Sequence, residues 1–173
     1  MKQIFIFLFL LGFTFTLQAK ELHPKEAELQ MIAKELGDFF LKGNQKETSK
    51  KFKVLFGTDA ELKAIYGKHA KAAIKNRDSF LQTAGTPHYW KLHTELLRKS
   101  GEIRKVQVFK NLNVYTKQMI DKKFISPGTA VLHAGWIDKN GKWDSFEFAW
   151  VNKRWVMLSP SAFEIMTNPE KYK

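Results

Sequence analysis

The sequence predicts an α+β fold in which N-terminal helices pack on a curved antiparallel sheet of about four to five strands. Three observations support this prediction. Apolar residues in the first hundred positions recur at three- and four-residue spacing, which is typical of amphipathic helices. From Ile103 onwards apolar residues alternate with polar ones, which is typical of strands. The dipeptide Asn140-Gly141 lies between two such runs and favours a hairpin.

Residues 1–19 have the layout of a secretory signal peptide. Lys2 precedes an almost wholly apolar run from Ile4 to Leu17, and the segment ends on the small residue Ala19. The run is too short to cross a bilayer well, which takes ~20 residues. We expect cleavage after Ala19, export to the periplasm or the extracellular space, and no transmembrane span after signal removal. An uncleaved anchor helix is the alternative.

Residues 20–173 are expected to form a single α+β domain. Residues 20–101 read as mainly helical, 102–160 as mainly antiparallel sheet, and 161–173 as a tail with one helical turn. The chain contains no cysteine, so its fold cannot depend on disulfides despite the predicted export. A domain of ~150 residues buries ~70% of its unfolded surface, so a hydrophobic core is sufficient.

The chain carries a net charge of +12, which favours anionic partners such as lipid headgroups, envelope polymers or nucleic acid. The charges are spread along the chain rather than clustered. Only four of the 29 basic residues are arginine, the residue suited to bidentate phosphate recognition. No nucleic-acid-binding module signature is present. We therefore expect a solvated lysine-rich surface and no specific nucleic-acid partner.

The helical half begins with Pro24, which suits a first helical position, and its first helix should end at Gly43. A second helix is expected to end near Gly57. Thr58 and Glu61 then have the capping-box spacing of a third helix, which resumes towards residue 80.

The last helix of this half is expected to start at Thr86-Pro87 and to end at Ser100-Gly101. The following strand should contain Val106 and Val108. The strand-like composition continues through Leu112, Val114 and Tyr115, and residues 116–127 have no clear pattern.

Two-residue turns at Asn140-Gly141 and Asn152-Lys153 are expected to connect three strands, although Lys153 must then accept a positive φ. Because side chains alternate along a strand, this register sorts them onto two faces. The first face would hold His133, Gly135, Ile137, Phe146, Phe148, Trp150, Trp155 and Met157. The second would hold Leu132, Ala134, Trp136, Trp143, Glu147, Ala149, Val151, Val156 and Leu158.

Both faces are mostly apolar, so the sheet must be covered on both sides or curve around a cavity. Helices of the first half can cover one face. Three alternatives remain for the other: a second helix layer, a partner subunit such as a second copy of the chain, or a pocket for a small apolar ligand. The candidate ligand-binding residues are Phe146, Phe148, Trp150, Trp155 and His133.

Three polar side chains in this sheet are candidates for acid–base chemistry. His133 lies among aromatics, where it is either a base or a histidine bonded to a backbone carbonyl. Asp144 would share its face at a distance of about 13 Å along the strand. Glu147 is either a buried carboxylate with a raised pKa or a partly exposed residue at a sheet edge.

Other chemistry is not indicated by the sequence. His88 and His93 are five residues apart, which places them on different sides of a helix, and no metal-binding spacing is present. Cysteine nucleophiles, serine motifs and phosphate-binding glycine runs are also absent. We therefore predict no metal and no cofactor, and favour a protein that is not an enzyme.

The stretch GWIDKNGKWDSFEFAWVNKRWVMLSP, Gly135 to Pro160, resembles the closing hairpins of the NTF2-like (SnoaL-like, cystatin-like α+β) superfamily. The alternation, the turn and a final strand with a Trp before an apolar pair carry the resemblance, which covers about 60 residues. It implies a cone-shaped sheet that wraps a helix and leaves a pocket at its mouth. Members of the superfamily include enzymes as well as proteins that only bind ligands or dimerise, so the resemblance implies no catalytic residues.

Three functional hypotheses follow. The first is an exported domain that binds a small apolar ligand or a partner through the aromatic sheet face. The second is a hydrolase or isomerase that uses His133 with a carboxylate such as Asp144. The third is electrostatic attachment to an anionic envelope polymer or lipid.

Overall fold

The computed structural model describes residues 24–109, 111–159 and 161–168, and the predicted signal peptide and cleavage site lie outside them. The described part is an α+β fold of seven α-helices and a curved four-stranded antiparallel sheet, as the sequence predicts. The helices are α1 (Pro24–Lys42), α2 (Thr48–Leu55), α3 (Asp59–Tyr66), α4 (Ala70–Ala84), α5 (Pro87–Ser100), α6 (Val114–Asp121) and α7 (Ser161–Thr167). The strands are β1 (Ile103–Phe109), β2 (Val131–Asp138), β3 (Trp143–Val151) and β4 (Arg154–Met157).

The predicted helix boundaries are confirmed where capping residues mark them. The Thr58 hydroxyl accepts a hydrogen bond from the Glu61 backbone N–H, and the Glu61 carboxylate accepts one from the Thr58 backbone N–H. Thr86 caps α5 in front of its proline, and Gly101 ends that helix with φ +78°. Such caps satisfy backbone groups that a helix end leaves unpaired, which is why they mark boundaries.

Helix α6 corrects the sequence prediction, because residues 112–115 do not continue a strand. Asn113 decides the local structure: its side-chain oxygen accepts hydrogen bonds from the backbone N–H groups of Tyr115 and Thr116. This arrangement is an N-cap, which favours helix over the β preference of Val114 and Tyr115.

The strand order is β1-β2-β3-β4, and each neighbouring pair is antiparallel. The predicted register between β2 and β3 is wrong by one residue. Trp136 pairs with Asp144 and His133 pairs with Glu147, whereas a two-residue loop would have paired His133 with Phe148. The loop has three residues: the Asp138 N–H donates to the Lys142 carbonyl, and a left-handed Gly141 absorbs the extra residue.

The turn between β3 and β4 is confirmed as a two-residue loop. Asn152 and Lys153 both have positive φ angles, 48° and 63°, which is a type I′ turn. Trp150 pairs with Trp155 and Phe148 pairs with Met157, as the sequence predicts.

The true register assigns the side chains to two faces, which we call the helix face and the outer face. The helix face holds Val106, Val108, Leu132, Ala134, Trp136, Asp144, Phe146, Phe148, Trp150, Trp155 and Met157, and packs against α1, α2, α4 and α5. The outer face holds Phe109, Val131, His133, Gly135, Ile137, Trp143, Ser145, Glu147, Ala149, Val151 and Val156. The observed register differs by one residue from the predicted one. It therefore places His133, Gly135 and Ile137 on the outer face, whereas Phe146 is on the helix face.

A second helix layer covers one end of the outer face. Residues from α3, α4, α6 and α7 pack on its Val131, Ala149 and Val156 end in a second hydrophobic cluster. At the other end Trp143 is 61% exposed. The outer face is thus core at one end and partly solvent-exposed at the other.

Candidate functional site

The main cavity of interest is at an edge of the sheet, and we call it the edge pocket. Strand β4 covers residues 148–151 of β3, and the chain continues with one further bond from the Leu158 N–H to the Glu147 carbonyl. Residues 143–146 of β3 therefore have no strand neighbour on that side within the described chain. A cavity of about 400 Å³ wraps around this free edge.

The walls of the edge pocket are mostly apolar, and they come from five helical or loop segments as well as the sheet. The apolar lining consists of Phe56, Phe80, Tyr89, Trp143, Phe146, Met157 and Leu158. The polar lining consists of His93, Asn113, His133, Asp144, Ser145, Glu147 and Ser159. Because neighbouring β3 residues point to opposite faces, the pocket receives side chains from both sides of the sheet.

On the helix-face side, α5 supplies a histidine to the pocket. His93 Nδ1 lies 2.7 Å from Asp144 Oδ2, and the His93 ring stacks on Phe40 with ring centroids 5.0 Å apart. An ionised carboxylate can only accept, so Nδ1 carries the proton in this pair. The pair fixes the orientation of the imidazole inside an otherwise apolar wall.

Tyr89 lies one helical turn before His93, and its ring is 4.6 Å from the imidazole. Burial raises the pKa of the Tyr89 hydroxyl, and the charge of Asp144 raises it further. The hydroxyl therefore stays protonated at neutral pH and can donate a hydrogen bond.

On the outer-face side, a second histidine contacts a serine. His133 Nε2 lies 2.5 Å from Ser145 Oγ, and His133 Nδ1 lies 3.1 Å from the backbone carbonyl oxygen of Asn111. His133 is only 8% exposed. His133 thus makes the backbone-carbonyl contact that the sequence analysis considers, and it also contacts a serine hydroxyl.

Glu147 is not a partly exposed edge residue, because only 2% of it is exposed. Its carboxylate accepts hydrogen bonds from the Asn113 backbone N–H at 2.7 Å, from Asn113 Nδ2 at 2.6 Å, and from the Thr116 hydroxyl. These three donors hold the first turn of α6 against β3. We assign Glu147 a structural role, since all its bonds go to that helix start.

Of the four aromatic residues that the sequence analysis proposes for ligand binding, one lines the edge pocket and three pack in the protein. Phe146 lines the edge pocket, whereas Phe148 and Trp155 are buried in the core. Trp150 packs against Trp155 with ring centroids 5.2 Å apart, and the Lys25 ammonium lies 4.8 Å from its ring centre. Trp150, Trp155 and Phe148 are therefore packing residues rather than lining of this pocket.

The predicted partnership of His133 and Asp144 does not form, because the two residues lie on opposite faces of the sheet. Asp144 pairs with His93 instead, and His133 pairs with Ser145. Sequence reasoning missed His93, Tyr89 and Ser145. Asp138 was the signal for the correct register, since Asp at the first position and Gly at the fourth favour a type I turn.

Groups of three or more metal-binding side chains are not found among the described residues, and no described helix is long and apolar enough to cross a membrane. Comparison of the chain with protein-family models, curated proteins and solved structures finds no match. The resemblance to the NTF2-like superfamily stays a prediction. The fold is therefore defined as α+β, and function must be argued from the edge pocket.

Proposed function

We propose that this protein binds a small, largely apolar molecule with one polar group in the edge pocket. The observation that carries the proposal is a cavity of about 400 Å³ with mostly aromatic and aliphatic walls and a few convergent polar groups. Small-molecule sites in proteins have this size and this composition.

The polar groups indicate how such a ligand would be oriented. The Tyr89 hydroxyl is a donor at neutral pH, and the His93 imidazole is held by Asp144. A ligand hydroxyl or carbonyl can exchange hydrogen bonds with this end of the pocket, while its apolar part packs on Phe80 and Phe146. The ligand would thus lie at the free edge of β3 rather than across the whole aromatic face that the sequence suggests.

Fluorescence of a neutral apolar probe tests the proposal. N-phenylnaphthylamine is suitable because it carries no charge and so does not respond to the basic surface. We expect enhanced fluorescence with the wild type, and at least about tenfold weaker binding by Phe80→Trp, which adds ring volume to the pocket wall. Met31→Trp adds the same ring at an exposed site on α1 and should bind like the wild type. No enhancement in the wild type, or equal binding by Phe80→Trp, would contradict the proposal.

A second candidate function is attachment to a membrane surface that carries anionic lipid headgroups. Phe109, Ile137 and Trp143 line an open apolar groove at the uncovered end of the outer face. Lys105 pairs with Ile137 in the neighbouring strand, and the exposed Lys142 precedes Trp143. An exposed Trp beside lysines suits the interface between acyl chains and anionic headgroups.

Co-sedimentation with phosphatidylglycerol-containing vesicles tests this second candidate. We expect binding that weakens as salt rises, and loss of binding in Trp143→Ser. Met31→Ser removes an equally exposed apolar side chain on α1 and serves as the matched control. Binding that is the same for both variants, or absent at low salt, would count against the membrane assignment.

A further inference from the structure

Two polar residues on the outer-face side of the edge pocket, Ser145 and His133, have an arrangement that ligand binding does not use. Ser145 Oγ lies 2.5 Å from His133 Nε2, and both residues line the edge pocket. A nucleophile within hydrogen-bond reach of a base, with that base held by a third group, is the general signature of an activated hydroxyl. The third group here is the backbone carbonyl of Asn111, 3.1 Å from His133 Nδ1.

The Asn111 carbonyl decides which ring nitrogen carries the proton. A carbonyl oxygen can only accept a hydrogen bond, so Nδ1 of His133 must be the donor. In the neutral imidazole Nε2 is then unprotonated, and the Ser145 hydroxyl donates to it. This is the tautomer that a general base needs in order to take the proton of a serine nucleophile.

Gly135 positions the serine next to the histidine. A Cβ at residue 135 would lie 2.6 Å from Ser145 Cβ and 2.1 Å from the Asp144 carbonyl oxygen. The absence of a side chain at Gly135 leaves that space to the Ser145 side chain. Since His133 and Ser145 are diagonal neighbours on paired strands, the side chain then reaches Nε2.

The geometry points to Ser145 and His133 as a nucleophile–base pair that accepts an acyl group from an apolar ester bound in the edge pocket. In this step Ser145 Oγ attacks the ester carbonyl carbon while His133 Nε2 takes the hydroxyl proton. The bond from that carbon to the alcohol oxygen breaks, the proton passes from Nε2 to the departing alcohol, and an acyl ester forms on Ser145. Attack by water, with His133 again as base, would release the acid and restore the serine. The inference rests on the proposed ligand binding, because the ester must enter the same pocket.

Acyl groups should accumulate on the protein rather than turn over quickly. The backbone N–H of Ser145 already donates to Asp144 Oδ1 at 2.8 Å, so this donor is not available to an oxyanion. Loss of one oxyanion donor lowers rates by ~10²–10³-fold. An activated aryl ester compensates in the acylation step through its good leaving group, whereas hydrolysis of the resulting serine ester does not benefit.

The experiment treats the full chain with p-nitrophenyl butyrate and locates the butyryl group by peptide mass spectrometry. The 29 basic residues include many lysines, which activated esters also acylate. Alkaline hydroxylamine separates the two outcomes, because it cleaves an ester on serine and leaves an amide on lysine. We expect one hydroxylamine-sensitive butyryl group on Ser145, and none after Ser145→Ala.

Two further variants make the result specific. His133→Gln should slow acylation of Ser145 by at least ~10²-fold, the contribution of a positioned base. Ser79→Ala removes an exposed serine of α4 and should react like the wild type. Butyryl groups on lysines only, or an unmodified Ser145 in the wild type, would overturn the inference, and this result needs no variant.

Binding of N-phenylnaphthylamine to the same wild-type sample separates the two proposals. If the probe binds and Ser145 stays unmodified, the acyl-transfer inference fails while the binding proposal stands. If the probe does not bind and Ser145 stays unmodified, both fail. Acylation of Ser145 that the probe suppresses by competition would support both.

Discussion

Arg154 and Glu61 form a two-point ion pair that joins the last strand to the start of α3. Arg154 Nε lies 2.6 Å from Glu61 Oε1, and an Nη of the same guanidinium lies 3.0 Å from Oε2. The other Nη of Arg154 donates to the backbone carbonyl of Val54 at 2.9 Å. The pair therefore connects α2, α3 and β4, and Glu61 is also part of the capping box of α3.

The first prediction concerns the acid stability that this ion pair provides. The hydrogen bonds from Arg154 are the main reason that the pKa of Glu61 is about 2 instead of 4.5. Because the folded-state pKa is below the unfolded one, the stabilisation is full above about pH 4.5 and is lost as the pH falls towards 2. We expect Glu61→Gln to lower the free energy of unfolding at pH 7 by about 2 kcal/mol.

Urea unfolding between pH 7 and pH 2.5 measures this effect. Glu61→Gln should lose less stability over the acid range than the wild type, since it has no carboxylate to protonate at that position. Glu35→Gln breaks the exposed ion pair with Lys51 and should leave both the stability and its pH dependence nearly unchanged. Parallel acid profiles for the wild type and Glu61→Gln would show that the ion pair does not contribute.

The second prediction concerns the turn between β3 and β4. Lys153 has φ +63°, a region that costs a non-glycine residue about 1–2 kcal/mol. Lys153→Gly creates the Asn-Gly pair that type I′ turns prefer. Relief of the strain is partly offset because glycine has more conformational entropy in the unfolded chain, so we expect the free energy of unfolding to rise by about 0.5–1 kcal/mol.

Thermal unfolding checks this prediction against a matched control. Lys139 is an exposed lysine in the other hairpin turn, and its φ is not positive. Lys139→Gly should therefore lower the melting temperature slightly, because it adds unfolded-state entropy and relieves no strain. A decrease for both variants would indicate that the backbone at residue 153 is not strained.

The two hairpins show what the sequence can and cannot specify. At Asn152-Lys153 the predicted loop length is confirmed. At Asn140-Gly141 the same reasoning gives the wrong register, because Asp138 accepts hydrogen bonds from the backbone of Asn140 and Lys142 and stabilises a three-residue loop. The dipeptide Asn-Gly is compatible with a two-residue and with a three-residue loop. The loop length therefore depends on hydrogen bonds of a side chain outside the dipeptide, that of Asp138.

The fold class was predictable because it depends on periodicity, which is local along the chain. The candidate site was not, because its polar pairs join distant parts of the sequence. His93 and Asp144 are 51 residues apart, and no spacing rule connects α5 to the first residues of β3. The predicted register is also wrong by one residue, so the sequence analysis gives His133 the wrong partners on β3.

The third prediction compares two glycines at which an added methyl group would meet different kinds of atoms, backbone at one and side chains at the other. A Cβ at Gly135 would meet the Asp144 carbonyl oxygen at 2.1 Å, and backbone there cannot move without breaking the β2–β3 ladder. A Cβ at Gly37 would meet side chains and no backbone: Ile103 Cδ1 at 2.7 Å, which is the end of a flexible side chain, and the Trp136 ring at 3.1 Å. We expect Gly135→Ala to destabilise by about 3 kcal/mol or to prevent folding, and Gly37→Ala to cost about 1 kcal/mol or less.

Expression yield and urea unfolding of the two alanine variants test this comparison. Gly135→Ala should also disturb the pair of Ser145 and His133, because the added methyl group takes the space of the serine side chain. Equal stability of the two variants would show that the close approach of β2 and β3 at Gly135 does not exclude a side chain there.

The fourth prediction concerns the buried Glu147 and the start of α6. Asn113 cannot turn its side-chain amide around, because its Oδ1 is already the cap acceptor for Tyr115 and Thr116. In Glu147→Gln the new NH₂ group must therefore face either the backbone N–H or the Nδ2 of Asn113, and two donors then oppose each other. We expect a loss of about 1–3 kcal/mol, the cost of a buried donor without a partner.

Hydrogen exchange of the α6 amides locates this loss, and urea unfolding gives its size. Exchange should accelerate in α6 more than in α1, because the hydrogen bonds of the carboxylate within the described chain go to the start of α6. Thr116→Val removes one of the three donors and should have a smaller effect in the same direction, whereas Thr116→Ser keeps the hydroxyl and should stay close to the wild type. If Glu147→Gln left α6 exchange unchanged, the carboxylate would not be what holds that helix to β3, and a chemical role for Glu147 would have to be reconsidered.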